Sequence, residues 1–271
     1  MPFPENPPLT DRLLAFYARR RWRGFLTLRR FLGRNSIEVR AAYGALVTLH
    51  PDDYIDRIVL EDGFYEPEVI EALRPFLKPD TVLWDIGANF GLHSLSFALL
   101  QPAARIHCFE PNPSIHARLA AHAERNRISL HCWPIALGDC DGTATLHINA
   151  SGNPGMTTLN PWSEARYDSR AAVGIARADT LINLGRIPAP TLIKLDVEGS
   201  EPAVLTGLGD WLRHPGLRAV VFEAPASLLE NPGQHETARR LLAAGFGLAP
   251  LRRNENHAHP LGNFLATRAD S

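Results

Sequence analysis

The sequence predicts an α/β fold built on a doubly wound, Rossmann-like sheet, mostly parallel with an antiparallel final strand. Short apolar runs that suit buried strands alternate along the chain with segments of helical periodicity. The first such run, Val82–Ile86, passes through a glycine turn directly into a helical pattern over residues 91–99. A strand, a glycine turn and a helix in this order are typical of nucleotide-binding units, in which ligands lie at the carboxyl ends of the strands.

The other elements follow from the same periodicities and from turn residues. Residues 36–49 favour a strand or hairpin, and residues 149–170 are polar and irregular, which is typical of a lid or binding loop. Further core strands are predicted at residues 105–110, 130–137, 191–196 and 217–223, a small added strand at 143–148 and the antiparallel strand at 262–267. Helices are predicted at residues 54–60, from Pro67, at 114–125, after 197 and at 236–244.

Composition excludes several function classes. The net charge is −1, so overall electrostatics give no reason to expect binding to nucleic acid. Cys108, Cys132 and Cys140 are an odd number without metal-ligand spacing, which suits a reducing compartment. No stretch has the roughly 20 apolar residues of a membrane span, and the N-terminus does not have the pattern of a signal peptide. We therefore expect a cytoplasmic protein.

The N-terminal segment differs in composition from the rest of the chain. Residues 11–34 carry eight arginines against one acid, interleaved with large apolar residues, and predict one or two basic amphipathic helices broken near Gly24. We expect residues 1–50 to form a helical appendage and residues 51–271 the cofactor-binding domain. The appendage is open to two interpretations. It can dock on an anionic membrane or polyanionic partner, or pack its aromatics on the main domain or a second subunit.

Acidic residues follow the predicted strands and indicate which nucleotide binds. Asp85, Glu110, Asp196 and Glu223 stand at four strand ends, which share one edge of a parallel sheet. A dinucleotide site needs G-x-G-x-x-G, whereas this turn reads G-A-N-F-G and follows Asp85, which would repel phosphate. A cofactor with ribose, adenine and an ammonium but no phosphate, such as S-adenosylmethionine, fits better. Glu110 is placed to accept hydrogen bonds from both ribose hydroxyls.

Four motifs together resemble one known family. VLWDIGANFGLHS, CFEPNP, ALGDCDG and IKLDVEGSE are similar, in order and spacing, to the FkbM family of S-adenosylmethionine-dependent methyltransferases. The family's N-terminal phrase corresponds to DYIDRIVLEDGFYEPEV, so the resemblance covers roughly residues 54–225. It implies a class I methyltransferase fold, S-adenosylmethionine as cofactor, and usually O-methylation of a hydroxyl on a sugar, glycan or natural product.

The resemblance also implies roles for individual residues. The methionine moiety is expected beside the glycine turn, with Ser94 nearby, the ribose at Glu110 and Asn112, and the adenine beside residues at and just after the end of the third core strand. Tyr65 is expected to close over the cofactor from a preceding loop, unless that loop is an ordinary connector, and Asp196 to lie between cofactor and acceptor. The residues expected at the methionine are Asp85, Gly87, Ala88, Asn89 and Gly91, and those at the adenine are Ala136, Leu137 and Asp139.

Methyl transfer to a hydroxyl also needs a proton acceptor. Asp196 is the first candidate because its strand end points into the site, followed by Glu198, His93, His257 and His259. The carboxylates of Asp196, Glu198 and Glu201 also suit magnesium or calcium, but acids are favoured at a helix start in any case, and we predict no metal. Two rival functions stay open, namely a cofactor-binding scaffold without turnover and a nucleotide-dependent oxidoreductase. The acceptor pocket is expected from residues 149–170, the Tyr65 loop and the segment after Ala226, with Arg166 and Arg170 as possible contacts.

Overall fold

The computed structural model describes residues 6–149, 157–161, 167–252 and 261–268. The helices in these ranges are α1 (Leu9–Arg19), α2 (Phe25–Phe31), α3 (Tyr54–Asp62), α4 (Pro67–Leu73), α5 (Leu92–Leu100), α6 (Pro113–Asn126), α7 (Ala178–Asn183), α8 (Glu201–Leu208) and α9 (Glu236–Ala243). The strands are β1 (Ile37–Arg40), β2 (Leu46–Leu49), β3 (Val82–Ile86), β4 (Arg105–Phe109), β5 (His131–Trp133), β6 (Ile135–Gly138), β7 (Gly142–Ile148), β8 (Ser169–Arg177), β9 (Leu192–Leu195), β10 (Ala219–Pro225), β11 (Gly247–Pro250) and β12 (Leu261–Thr267).

A seven-stranded sheet with the order β11-β12-β10-β9-β3-β4-β5 forms the centre of the molecule. The run from β10 to β5 is parallel, whereas β12 pairs antiparallel with both β10 and β11. The predicted doubly wound, mostly parallel sheet with an antiparallel final strand is therefore confirmed. Every residue of β3 is buried, because successive side chains point to opposite faces and helices cover both.

The predicted strand at residues 130–137 is wrong as a single element. It is two strands, β5 at the edge of the central sheet and β6 in a separate three-stranded sheet with the order β6-β8-β7. Pro134 stands between them and has no N–H to donate to a continuous ladder, so the chain changes sheets there.

The sequence did not predict β8, α7 or β11. Residue 169 begins β8, inside the segment expected to be irregular, and β8 pairs antiparallel with β7 and parallel with β6. Its small residues carry little periodic signal, so pairing rather than local pattern makes it a strand. Residues 36–49 form the predicted hairpin, with Ile37 opposite Leu49.

The N-terminal segment forms two helices on either side of Gly24, as predicted. Leu14 and Phe25 are buried in the same hydrophobic core as Leu83 and Leu95 of the sheet unit. Buried Arg29 donates to both carboxylate oxygens of Asp52 at 2.9 Å. The division of the chain at residue 50 stays a prediction. Across the described ranges, no helix combines the length and the hydrophobicity needed to cross a bilayer.

Helix α8 approaches the small sheet so closely that only glycine fits at the contact. A Cβ at Gly207 would lie 1.9 Å from the carbonyl oxygen of Gly138, at the end of β6. This contact places β6, and with it Ala136 and Leu137, beside the central sheet.

Replacing Gly207 with alanine should therefore lower the free energy of unfolding by about 2 kcal/mol or more. Helix propensity alone predicts the opposite sign, a gain of roughly 0.5–1 kcal/mol. Urea unfolding followed by circular dichroism measures the difference, with Gly233→Ala as control because a Cβ there meets open space. A neutral or stabilising effect of Gly207→Ala would contradict the close contact.

Candidate functional site

A cavity of about 470 Å³ opens where the parallel strands end. Ile86 ends β3 and Gly87 comes directly after it, Glu110 follows β4, and Asp196 follows β9. Glu223, expected at a strand end, lies inside β10, because that strand continues to Pro225 along β12. The opposite wall is formed by residues from α3, the loop before α4, residues 157–159 and the start of β12: Tyr54, Ile55, Tyr65, Thr157, Thr158, Leu159 and Leu261.

Gly87 holds three strand ends together at the floor of the cavity. Its φ is +79°, and a Cβ there would lie 1.7 Å from the carbonyl oxygen of Asp196. Its N–H donates to the carbonyl of Phe109 at 3.0 Å. A side chain at this position would push β9 away from β3, so the turn requires glycine.

A buried lysine lies directly below this turn. The ammonium of Lys194 donates to the carbonyl of Gly87 at 3.0 Å and to Oδ2 of Asp196 at 3.1 Å, and lies 3.5 Å from Oδ1 of Asp85. Burial alone would lower the pKa of Lys194, but the charges of Asp196 and Asp85 together raise it above its ordinary value. The lysine therefore stays charged and fixes Asp196 at the cavity edge.

Asp85 lies behind the cavity wall and is fully buried. Its Oδ2 accepts a hydrogen bond from Ser94 Oγ at 2.5 Å, and Ser94 in turn accepts one from Cys108 at 3.1 Å. Asp85 is thus placed to reach a ligand only through Lys194 or Ser94.

Glu110 lines the cavity with a carboxylate that backbone amides hold in place. Its Oε2 accepts from the N–H of Asn89 at 3.0 Å and its Oε1 from that of Asn112 at 2.9 Å. Burial raises the pKa of Glu110 to about 7, against the lowering effect of these two bonds. Each oxygen retains a lone pair for a ligand.

Glu198 is a carboxyl at the cavity whose surroundings disfavour the ionised form. Burial, followed by the charges of Asp196, Glu201 and Glu66, raises its pKa to about 8. Its backbone has φ +54°, a strained conformation for a residue with a side chain. Glu201 supports this loop, since its Oε1 accepts from the N–H of Val197 at 3.0 Å.

The structure brings about half of the expected site residues to the cavity. Tyr65, Gly87, Asn89, Glu110, Ala136, Leu137, Asp196 and Glu198 line it. The remainder, Asp85, Ala88, Gly91, Ser94, His93, Asn112 and Asp139, lie behind or beside it.

Residues of the second group have other contacts. Asn112 is the N-cap of α6 and accepts from the N–H of Ser114 at 3.1 Å. Asp139 lines a second, smaller cavity of about 290 Å³. His93 packs edge-on against Phe64, with ring centroids 5.5 Å apart, and burial lowers its pKa to about 4.

Several candidates cannot be placed at this cavity. Arg166, His257 and His259 lie outside the described residues. Arg170 lies exposed on β8, away from the cavity lining.

Sequence reasoning missed Lys194, and the signal was present. A lysine inside the apolar run of β9 must find charged partners if it is buried, and the acids on either side, Asp85 and Asp196, supply them. Tyr54 and Ile55 have no such signal, because they meet the cavity only through tertiary packing. Residues 157–159 lie within the irregular segment 149–170 that was expected to contribute to the pocket.

The charged and apolar side chains around the cavity indicate which ligand fits. Among the described residues that line or underlie the cavity, Lys194 is the sole cation, against the carboxyls of Asp85, Glu110, Asp196, Glu198 and Glu223. This charge balance disfavours a phosphate and suits a ligand with a positive charge. Apolar side chains of Ile86, Phe109, Ile135 and Leu137 can flank an adenine ring. A nucleoside with a sulfonium and an ammonium, S-adenosylmethionine, matches both halves.

Comparison with known proteins gives the same result. The methyltransferase FkbM domain model matches residues 85–246. The chain is 28% identical over 173 residues to the hexuronic acid methyltransferase AglP of Haloferax volcanii, covering 64% of this chain and 68% of that protein. It is 29% identical over 145 residues to the 2-O-methyltransferase NoeI of Sinorhizobium fredii, covering 48% and 58%. The matched region thus spans about two thirds of the first relative and just over half of the second.

One solved structure aligns weakly with the chain. Fibrillarin of Aeropyrum pernix, determined with natively bound S-adenosyl-L-methionine, aligns with a TM-score of 0.45 and 14% identity over 86% of this chain and 94% of that one. The FkbM domain model covers more than half of the sequence, which is enough to assign the chain to that family. The chain belongs to the FkbM family of S-adenosylmethionine-dependent methyltransferases.

Proposed function

We propose that the chain transfers a methyl group from S-adenosylmethionine to a hydroxyl oxygen of a sugar, a glycan or a similarly hydroxylated natural product. The observation that supports this most directly is the pair of carboxyls, Asp196 and Glu198, at the cavity edge where an acceptor would meet the cofactor. The relatives whose names specify a hexuronic acid and a 2-O position support a sugar hydroxyl.

The cofactor would be held by residues that line the cavity. Glu110 accepts hydrogen bonds from the ribose hydroxyls through the lone pairs that the two backbone amides leave available. Ala136 and Leu137 flank the adenine, and the glycine turn with Asn89 borders the methionine moiety. Asp85 and Ser94 act from behind, by fixing Lys194 and α5. When bound, the cofactor supplies an electrophilic methyl group on a cationic sulfur.

The two carboxyls would divide the work on the acceptor. Asp196, fixed by Lys194, orients the hydroxyl, and such positioning can supply much of the rate enhancement of a methyl transfer. Glu198 takes the proton, because a general base works best when its pKa is near the operating pH. His93 has no proton-transfer role in this proposal, since it lies outside the cavity lining.

We also place the reaction in the cytoplasm. Cys108, Cys132 and Cys140 are all free thiols in the structure, which suits a reducing compartment.

Glu110→Gln should weaken binding of S-adenosylmethionine about tenfold or more, because a charge-assisted hydrogen bond contributes roughly 1.5–3 kcal/mol. Isothermal titration calorimetry measures the change. Glu124→Gln, an exposed substitution on α6, is the matched control and should bind as the parent does. Equal affinity of Glu110→Gln and the parent would remove Glu110 from the ribose site.

Glu198→Gln should lower kcat about 100-fold or more, the usual contribution of a positioned base. The parent's kcat/KM for S-adenosylmethionine, which reports the free enzyme, should rise as the pH increases through about 8, because only the ionised carboxylate accepts a proton, and this rise should disappear in Glu198→Gln. Asp196→Asn should instead raise KM for the acceptor and keep the pH profile. Release of S-adenosylhomocysteine, measured with a panel of hexuronic acids, glycosides and polyketide alcohols, provides the rates.

Two outcomes would count against the proposal. If the protein binds S-adenosylmethionine but releases no S-adenosylhomocysteine with any member of the panel, hydroxyl methylation is the wrong reaction. If Glu198→Gln keeps the parent's pH profile, the proton acceptor is another group.

A further inference from the structure

Large apolar side chains are exposed mainly at the N-terminal helices. Of the ten exposed large hydrophobics within the described residues, eight lie between residues 9 and 32. The other two, Leu184 and Leu242, are isolated in sequence from one another. We call the eight the N-terminal patch: Leu9, Leu13, Phe16, Tyr17, Trp22, Leu26, Phe31 and Leu32. Soluble monomers seldom expose apolar residues in such concentration unless something binds there.

Helix α1 is apolar on two opposite sides. Leu14 and Ala18 face the core and are 1% and 2% exposed. Leu9, Leu13 and Phe16, spaced four and three residues apart, form a stripe on the outer side and are about half exposed or more. A helix that only covers a core would be polar there, so packing on the main domain does not account for the outer stripe.

Three aromatic side chains of the patch form a chain of ring contacts. The rings of Phe16 and Tyr17 have centroids 5.6 Å apart, and those of Tyr17 and Trp22 5.3 Å. Trp22 lies over Gly24, where a Cβ would come within 2.4 Å of its ring. These contacts extend from the end of α1 to the turn before α2, and Phe31, the last residue of α2, is 85% exposed.

Unneutralised positive charge surrounds this surface. Three arginines of the segment have carboxylate partners, since Arg21, Arg29 and Arg34 pair with Asp62, Asp52 and Asp11. Five others are exposed and make no ion pair with the part of the chain that the structure describes: Arg12, Arg19, Arg20, Arg23 and Arg30. The whole chain has a net charge of −1, so this positive charge is a local property of the two helices.

We propose that α1 and α2 dock the protein on an anionic membrane surface, with the N-terminal patch in the lipid interface and the five arginines at the headgroups. Interfacial helices combine Trp, Phe and Leu with Arg in this way, and each basic residue adds attraction to anionic lipid. A second copy of the chain fits the N-terminal patch less well than a membrane does. In a two-fold symmetric dimer the arginines of one copy would face those of the other and repel them. Nucleic acid would neutralise the arginines, but binding to it would not explain why the leucines of the patch are exposed.

The docking surface lies close to the cavity. Helix α1 packs against α3, and the first residues of α3, Tyr54 and Ile55, line the cavity wall. The docking helices and the cavity wall are therefore connected through α3. This arrangement would serve an acceptor presented at a membrane surface.

Co-sedimentation of the full-length protein with vesicles tests the proposal. The protein should bind vesicles of equimolar phosphatidylcholine and phosphatidylglycerol, bind pure phosphatidylcholine far more weakly, and dissociate as salt shortens the range of the attraction. Binding to neither, or to both equally, would overturn the proposal.

Matched variants locate the surface. The quadruple change Arg12→Gln, Arg20→Gln, Arg23→Gln and Arg30→Gln should weaken binding about fivefold per arginine. The control changes the same net charge at exposed arginines elsewhere: Arg105→Gln, Arg186→Gln, Arg213→Gln and Arg252→Gln. Equal loss in the two quadruple variants would show unspecific attraction and overturn the proposal.

A second pair of variants tests the apolar contribution. Leu13→Ser with Phe31→Ser should reduce vesicle binding at least tenfold, whereas Leu184→Ser with Leu242→Ser should not reduce it. Each substituted side chain is exposed in the parent protein, so none of the changes should disturb the core. Circular dichroism checks that every variant folds. If light scattering instead finds a dimer that the Leu13–Phe31 variant converts to monomers, the patch is a subunit interface and membrane docking is wrong.

Discussion

The buried ammonium of Lys194 is the interaction on which the site depends. It bonds to the turn after β3 and to the acid after β9, and it lies beside Asp85 within β3. Lys194 and Asp85 are both buried, and each would be costly alone, but together with Asp196 they offset the loss of hydration. The arrangement requires that β3 and β9 be neighbours in register, which the parallel pairing of Asp85 with Lys194 provides. The contact between Gly87 and the carbonyl of Asp196 fixes the same two strands from above.

This single cation does not balance the acids around it. Burial raises the pKa of Glu110 and Glu198 to about 7 and about 8, so near neutral pH these carboxyls are partly protonated. A cationic ligand favours their ionised forms. The cavity therefore has more acidic groups than Lys194 can neutralise, and the positive charge of a sulfonium ligand offsets this excess. The same imbalance supplies a carboxylate suited to accept a proton from a hydroxyl.

Much of this could be predicted from the sequence, and the rest fails for identifiable physical reasons. The alternation of apolar runs and helical periods was enough for the parallel sheet, and the glycine spacing after Asp85 pointed to a cofactor without phosphate. Asp85 itself was expected at the ligand but lies behind the wall, because its position within β3 turns its side chain toward Ser94. Pro134 splits a strand that hydrophobicity alone joins. The contribution of Tyr54 and Ile55 to the cavity wall depends on packing between distant segments, which no local pattern reveals.

The excess carboxyls of the cavity should ionise when a cationic cofactor binds. Calorimetric titration at about pH 7, repeated in buffers of different ionisation enthalpy, counts the protons released. We predict that S-adenosylmethionine releases more protons than S-adenosylhomocysteine, which has the same nucleoside and amino acid parts but a neutral sulfur. Equal proton release for the two ligands, or none for either, would contradict the account.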